Sequence, residues 1–124
     1  MTQINATNQI RTLQINIDRI KSAHDLALSK AAEVHADIVA PCEPNCKQIQ
    51  NRGWITDIRG DVAVLLRNRN VIVSSIKREQ GYVMVNINGY SLFCCYFSPN
   101  RPIKEFRNYV QTLSRDLQRN LFIY

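Results

Sequence analysis

The sequence is poor in the residues that mark extended or repetitive chains. Its 124 residues include four glycines and four prolines, which excludes collagen-like, linker and low-complexity classes. No apolar run approaches the ~18 residues that a membrane-spanning helix requires, and the N terminus lacks the basic and apolar regions of a signal peptide. With 45% hydrophobic residues, we expect one soluble domain with a core and no membrane partner. Its expected compartment is intracellular, either nuclear or cytoplasmic.

Basic residues outnumber acidic ones, and the excess lies late in the chain. Sixteen Lys and Arg stand against ten Asp and Glu, which gives a net charge of +6. Residues 1–50 carry five of each sign, residues 51–100 carry six basic and three acidic, and residues 101–124 carry five and two. This balance suits a polyanionic partner such as nucleic acid, although many basic proteins bind none specifically.

Four cysteines allow a metal or disulfide interpretation, which their spacing does not favour. Cys42 and Cys46 are suitably spaced for one metal ion, but Cys94 and Cys95 are adjacent. Adjacent strand residues point to opposite faces, so these two could not easily share an ion. We expect buried or half-buried free thiols in a reducing compartment. A cysteine-based metal or redox domain is the alternative.

The first part of the chain has the pattern of a βαβ unit. Residues 11–17 alternate polar and apolar side chains, which predicts a strand. Ser22 is the expected N-cap of an amphipathic helix that runs to about His35. Residues 37–41 predict a second, buried strand, which Pro41 must end or place at an edge. A strand, a helix and a strand within some 30 residues predict a parallel pair.

The later part is rich in predicted strands. We expect them at residues 53–57, 60–66, 70–77, 80–88 and 90–97, with a hairpin turn at Asn88-Gly89. A second amphipathic helix follows over residues 102–119, with Pro102 in its first turn. Residues 120–124 are apolar and resemble the opening of another strand. The predicted class is α/β, with a mixed sheet, a mostly β middle and two main helices.

Three polar residues stand near the C-terminal ends of predicted strands, where ligand sites of α/β sheets gather. They are Asn16, Glu43 and Tyr96. A carboxylate suits Mg²⁺, and an amide and a phenol can donate hydrogen bonds to phosphate oxygens. From the pattern alone, ordinary surface or capping residues are an equally valid interpretation.

Several short segments, in order along the chain, resemble the endonuclease domain of arthropod non-LTR retrotransposons. That domain belongs to the endonuclease/exonuclease/phosphatase superfamily. The segments are LQINIDR (residues 13–19), AHDLA (23–27), DIV (37–39), EPN (43–45), RGW (52–54), GDVAV (60–64) and CYFSPN (95–100). The resemblance covers residues 11–124 and leaves residues 1–10 as an N-terminal extension.

The resemblance implies a two-sheet α/β sandwich that cleaves DNA phosphodiester bonds with Mg²⁺, or with Mn²⁺ in its place. By the match, Asn16 lies beside the scissile phosphate, Glu43 ligates the metal and Tyr96 hydrogen-bonds the phosphate. Candidates for contacts with the DNA backbone, for which solvated surface charge is the equal alternative, are Arg19, Arg52, Arg59 and Arg101.

The family's site has a second half that the match does not reach. After the helix that corresponds to residues 102–119, the family continues to a Gly-Asp-Phe-Asn strand and later to Ser-Asp-His, which position water and phosphate. We therefore expect an incomplete domain that is inactive alone and marginally stable, or that self-associates through unpaired strand edges. Pro41 and Cys42 replace an apolar residue and a serine of the family. The alternative is a catalytically dead remnant that binds nucleic acid or protein.

Overall fold

The computed structural model of the chain describes residues 2–7, 10–50, 53–68 and 71–119. Its α-helices are α1 (Lys21–Glu33) and α2 (Ile103–Arg119), and a short 3₁₀ turn spans Gln48–Gln50. Its strands are β1 (Thr2–Thr7), β2 (Ile10–Asn16), β3 (Ile38–Cys42), β4 (Trp54–Thr56), β5 (Ala63–Leu66), β6 (Val73–Arg78), β7 (Tyr82–Ile87) and β8 (Tyr90–Cys95). The two helices and the strand-rich middle are confirmed. Residues 120–124, predicted to open another strand, lie outside the described residues.

The first sheet has the strand order β1-β2-β3-β5-β4. Strands β2 and β3 are parallel and joined through α1, which confirms the predicted βαβ unit. β1 pairs antiparallel with β2. The ten residues that the resemblance left as an extension thus include an edge strand of this sheet.

Pro41 lies in a central strand, so the prediction that it ends a strand or marks an edge is wrong. It pairs in register with Ile15 of β2 on one side of β3. On the other side, the ladder to β5 pairs positions 38 and 39 and resumes at the bridge between Cys42 and Val62. The ladder skips Pro41, so its missing N–H interrupts no bond to β5.

Helix α1 begins earlier than its sequence predicts and ends close to the predicted position. Ile20 occupies the N-cap position and makes no side-chain capping bond, so the assignment of Ser22 is wrong. The helix ends at Glu33, and His35 follows with φ +56°. The N–H of His35 donates to Ala32, and the next N–H donates to the carbonyl of Ala31. These bonds form a Schellman motif, with histidine where glycine is usual.

The second sheet, β6-β7-β8, packs face to face on the first. Asn88 and Gly89 both have positive φ in the turn between β7 and β8, which confirms the predicted hairpin. Side chains from both sheets form the main core: Ile38, Ala40, Val62, Val64, Val83, Val85, Ile87 and Cys94. α1 covers the outer face of the first sheet through Ala31, which packs with Leu13 and Val39. α2 covers that of the second sheet, where Tyr109 contacts Tyr82. The two-sheet α/β fold is confirmed.

The space between the sheets is incompletely filled beside β8. An open cleft of about 350 Å³ lies there between β8 and strands β2 and β3. Ile10, Thr12, Leu92 and Cys94 are among its lining residues. β8 is the last strand of its sheet on this side, so its outer backbone groups have no neighbouring strand within the described residues. Neither described helix is long and apolar enough to cross a membrane.

Candidate functional site

Asn16 and Glu43 come together where two parallel strands end. Asn16 is the last residue of β2 and stands in register with Cys42, the last residue of β3. Beyond the strands, the N–H of Ile17 donates to Cys42 at 3.1 Å, and the N–H of Arg19 donates to Glu43 at 2.7 Å. These bonds extend the pairing past the strand ends, and they place Asn16 beside the segment that carries Glu43.

Tyr96 reaches the same place from the second sheet. It follows β8 directly, and its N–H donates to the carbonyl of Gly81 at 2.8 Å. Its hydroxyl donates to Oε1 of Glu43, so one hydrogen bond joins the two sheets at the site. This bond, together with burial and nearby negative charge, raises the pKa of Tyr96 to about 12. The phenol is therefore protonated at neutral pH and remains a donor.

The side-chain amide of Asn16 is held by a local hydrogen bond. Its Oδ1 accepts the N–H of Asp18 at 2.9 Å, an Asx turn that fixes the amide. Its amide nitrogen has no partner in the described part of the chain. An amide nitrogen held in this way can donate to a phosphate oxygen.

Arg19 is engaged within the protein. One terminal nitrogen of its guanidinium donates to the carbonyls of Gly60 at 2.9 Å and Pro44 at 3.2 Å. The other forms an ion pair of 2.9 Å with Oδ1 of Asp61. The side chain is 42% exposed, whereas that of Asp61 is 7% exposed. Its predicted contact with DNA stays a prediction.

Of the other predicted arginines, Arg59 and Arg101 lie in separate loops. Arg59 lies on the loop between β4 and β5, and its guanidinium donates to the side chain of Gln80 at 2.8 Å. Arg101 lies just before α2, and its guanidinium is 3.5 Å from the carboxylate of Glu105. Arg52 lies outside the described residues. For these three as well, DNA contact stays a prediction.

Asp57 is a buried residue linked to the site through Asp61 and Gly81, and its sequence context did not single it out. The side chain is buried, with 1% exposure. Its Oδ1 accepts the N–H groups of Asp61 at 2.7 Å and Val62 at 3.1 Å. Its Oδ2 accepts those of Gly81 at 2.8 Å and Arg59 at 3.3 Å. An aspartate four residues before its bonded N–H, in a glycine-containing loop, is a turn signal that could have identified it.

His24 of α1 accepts a hydrogen bond from the segment that follows Glu43. Its Nε2 accepts the N–H of Asn45 at 2.7 Å, and its ring meets the edge of Trp54 with centroids 5.8 Å apart. Burial lowers the pKa of His24, against a smaller opposing effect of Asp25. The bond from Asn45 also requires the neutral ring. His24 is therefore a structural acceptor whose position behind the site was not predicted.

The described fold resembles part of a solved structure. The chain is similar to the structure of the endonuclease domain of TRAS1, a telomere-specific non-LTR retrotransposon, with a TM-score of 0.68 and 24% sequence identity. The match covers 87% of this chain and 53% of that one, so the chain spans about half the length of the endonuclease domain. No family model and no curated protein matches the chain.

Glu43 is the predicted metal ligand at this end of the fold, and it offers one carboxylate oxygen. Glu43 is half-buried, and its Oε2 has no partner among the described residues. No group of three or more His, Cys, Asp or Glu side chains is placed to hold a metal within the described part. That donor set suits Mg²⁺, which keeps several waters and takes one or two carboxylates, better than a protein cage of the zinc type.

The four cysteines are free, as predicted. Cys94 is buried and Cys42 and Cys95 are half-buried, whereas Cys46 is exposed, contrary to the expectation. Burial raises the pKa of Cys94 to about 12 and also raises those of Cys42 and Cys95. These three thiols are therefore protonated at neutral pH and are poor nucleophiles or metal ligands.

Proposed function

We propose that this chain carries one half of a divalent-metal-dependent site for DNA phosphodiester hydrolysis, and that by itself it binds DNA without cutting it. The observation that carries the proposal is the bond from Tyr96 to Glu43 across the two sheets, with Asn16 at the adjoining strand end. The endonuclease-type fold supports the same assignment.

Each of the three residues has a role that its geometry suits. Glu43 Oε2 would hold the ion, Mg²⁺ or Mn²⁺, which when bound offsets charge on the leaving oxygen. The Asn16 amide and the protonated phenol of Tyr96 are donors for phosphate oxygens. Donors that are fixed before the substrate arrives stabilise the charge that grows in the transition state.

Neither histidine of the chain is well placed to act as the general base that activates water. His24 is buried and already accepts the N–H of Asn45. His35 follows the far end of α1, about 20 Å from its start at a rise of 1.5 Å per residue. A general base contributes roughly 10²- to 10⁴-fold to such reactions, so we expect hydrolysis by this chain to be negligible.

The test combines DNA binding with plasmid nicking. Fluorescence anisotropy with a labelled duplex, with and without Mg²⁺, should show binding that weakens with salt by a slope of about 0.9 per phosphate contacted. Glu43→Gln should remove the Mg²⁺-dependent part of the affinity. The matched control is Glu33→Gln, at the exposed end of α1.

Two results would decide against the proposal. Magnesium-dependent nicking that disappears in Glu43→Ala would show that the chain is active alone. DNA binding that does not respond to Mg²⁺ or to Glu43→Gln would favour the second candidate, a catalytically dead module that binds nucleic acid or protein. The basic excess after residue 50 is the observation that favours this second candidate.

A further inference from the structure

The loop between β2 and α1 makes several hydrogen bonds to the segment that carries Glu43. We propose that Arg19, paired with Asp61, is a positioning residue that fixes the backbone of Glu43 and so aims its carboxylate at Tyr96. The inference rests on the proposed function of Glu43 as the metal ligand. It assigns Arg19 an internal role in place of a contact with the DNA backbone.

Arg19 forms hydrogen bonds with three consecutive residues that directly follow β3. Its N–H donates to the carbonyl of Glu43 at 2.7 Å, and its guanidinium donates to that of Pro44 at 3.2 Å. Its own carbonyl accepts the side-chain amide of Asn45 at 2.9 Å. Main chain and side chain of one residue therefore hold the whole Glu43-Pro44-Asn45 segment.

Asp61 holds the other side of the same residue. Its carbonyl accepts the N–H of Glu43 at 2.7 Å, so both backbone polar groups of Glu43 are fixed. Oδ1 of Asp61 pairs with Arg19, and its buried Oδ2 has no hydrogen-bond partner within the described residues. A buried carboxylate with so little other compensation depends on its ion pair. Arg19 and Asp61 therefore form a clasp around Glu43.

The backbone inside this clasp is strained. Glu43 has φ +50°, Asp18 has φ +53° and Arg19 has φ +62°. Residues other than glycine avoid this region, and such strain persists only where surrounding contacts impose it. The guanidinium bonds to Pro44, Gly60 and Asp61 are such contacts. Without them, we expect the backbone of Glu43 to relax and its carboxylate to leave Tyr96.

The test uses Arg19→Lys, which keeps the charge and removes the fork of donors. A positive φ gives a strong nuclear Overhauser effect between the amide and α protons of one residue, so this signal of Glu43 reports its backbone directly. In Arg19→Lys we expect the signal to weaken and the dissociation constant for Mg²⁺ to rise about 10- to 100-fold, as for other supporting residues of metal sites. Arg107→Lys, at an exposed position of α2, is the matched control and should change neither.

The outcomes separate this inference from the proposed function. If Arg19→Lys keeps the Glu43 signal, the positioning role is refuted. If the wild-type chain binds no Mg²⁺ through Glu43, the proposed function fails, while the Glu43 signal still decides the role of Arg19. Should Arg19→Lys not fold, Asp61→Asn is measured in the same way, because loss of the charge weakens the hold on the guanidinium. An unchanged Glu43 signal in that variant would equally refute the clasp.

Discussion

Replacement of Asp57 by asparagine should destabilise the fold strongly, because it removes one of two acceptor atoms and adds no useful donor. The retained oxygen can satisfy one pair of N–H groups, either Asp61 and Val62 or Gly81 and Arg59. The new amide nitrogen then faces the other pair. Hydrogen bonds to charged groups contribute about 1.5–3 kcal/mol each, and a buried donor left unpaired costs about 1–3 kcal/mol. We expect Asp57→Asn to lower the free energy of unfolding by about 2–4 kcal/mol.

Urea denaturation measures this loss conveniently. Trp54 is the only tryptophan and packs on His24 near the site, so its fluorescence reports unfolding. With a slope of about 2 kcal/mol per molar urea, the middle of the usual range for small proteins, the midpoint should fall by roughly 1–2 M. Asp25→Asn, an exposed aspartate of α1, is the control and should shift the midpoint little. A loss below about 1 kcal/mol, less than one such bond contributes, would refute the assignment of Asp57 as the organiser of this loop.

Three further predictions concern other parts of the fold. Ile20→Asp should supply the missing cap of α1 and stabilise the protein by about 1 kcal/mol; an unchanged or lower melting temperature would contradict this. The folded-state pKa of His24 is lowered, so the unfolded chain binds protons first, and stability should fall as the pH drops below about 6.5; urea midpoints between pH 5 and 8 should show this slope, and His24→Gln should lack it. Sedimentation should detect concentration-dependent self-association that Leu92→Lys on edge strand β8 abolishes, and a wild-type chain that stays monomeric would exclude it.

Local chemistry made much of the fold predictable. Alternation of polar and apolar residues marks β2, and Asn88-Gly89 marks the hairpin, because each depends on neighbours in sequence. The meeting of Asn16 and Glu43 also follows from local pattern. Once two strands are parallel and adjacent, their C-terminal ends must lie at one edge of the sheet.

The contacts that organise the site depend on partners far apart in sequence. Asp57 accepts the N–H of Gly81 across 24 positions, and Arg19 reaches Asp61 across 42. Pro41 can occupy a central strand only because the ladder to β5 is interrupted there. No periodicity along the chain encodes such relations, so charge and residue type alone predicted either a DNA contact or a solvated charge for Arg19.

The bond between Tyr96 and Glu43 closes a ring of hydrogen bonds that runs through both sheets. Tyr96 donates its N–H to Gly81, Gly81 donates to Asp57, Asp57 accepts from Asp61, and the carbonyl of Asp61 accepts from Glu43. Four of the five bonds involve a main-chain group, and two of these four end on the side-chain carboxylate of Asp57. Loss of hydrogen bonds at Asp57 should therefore change the position of Tyr96.

The bond from Tyr96 to Glu43 is the largest cause of the raised pKa of Tyr96. In Asp57→Asn, the pKa of Tyr96 should therefore fall from about 12 toward its ordinary value of about 10. Titration of the tyrosine ring signals by NMR measures that change, and an unaltered pKa in a destabilised variant would show that the two sheets hold the site independently of the ring.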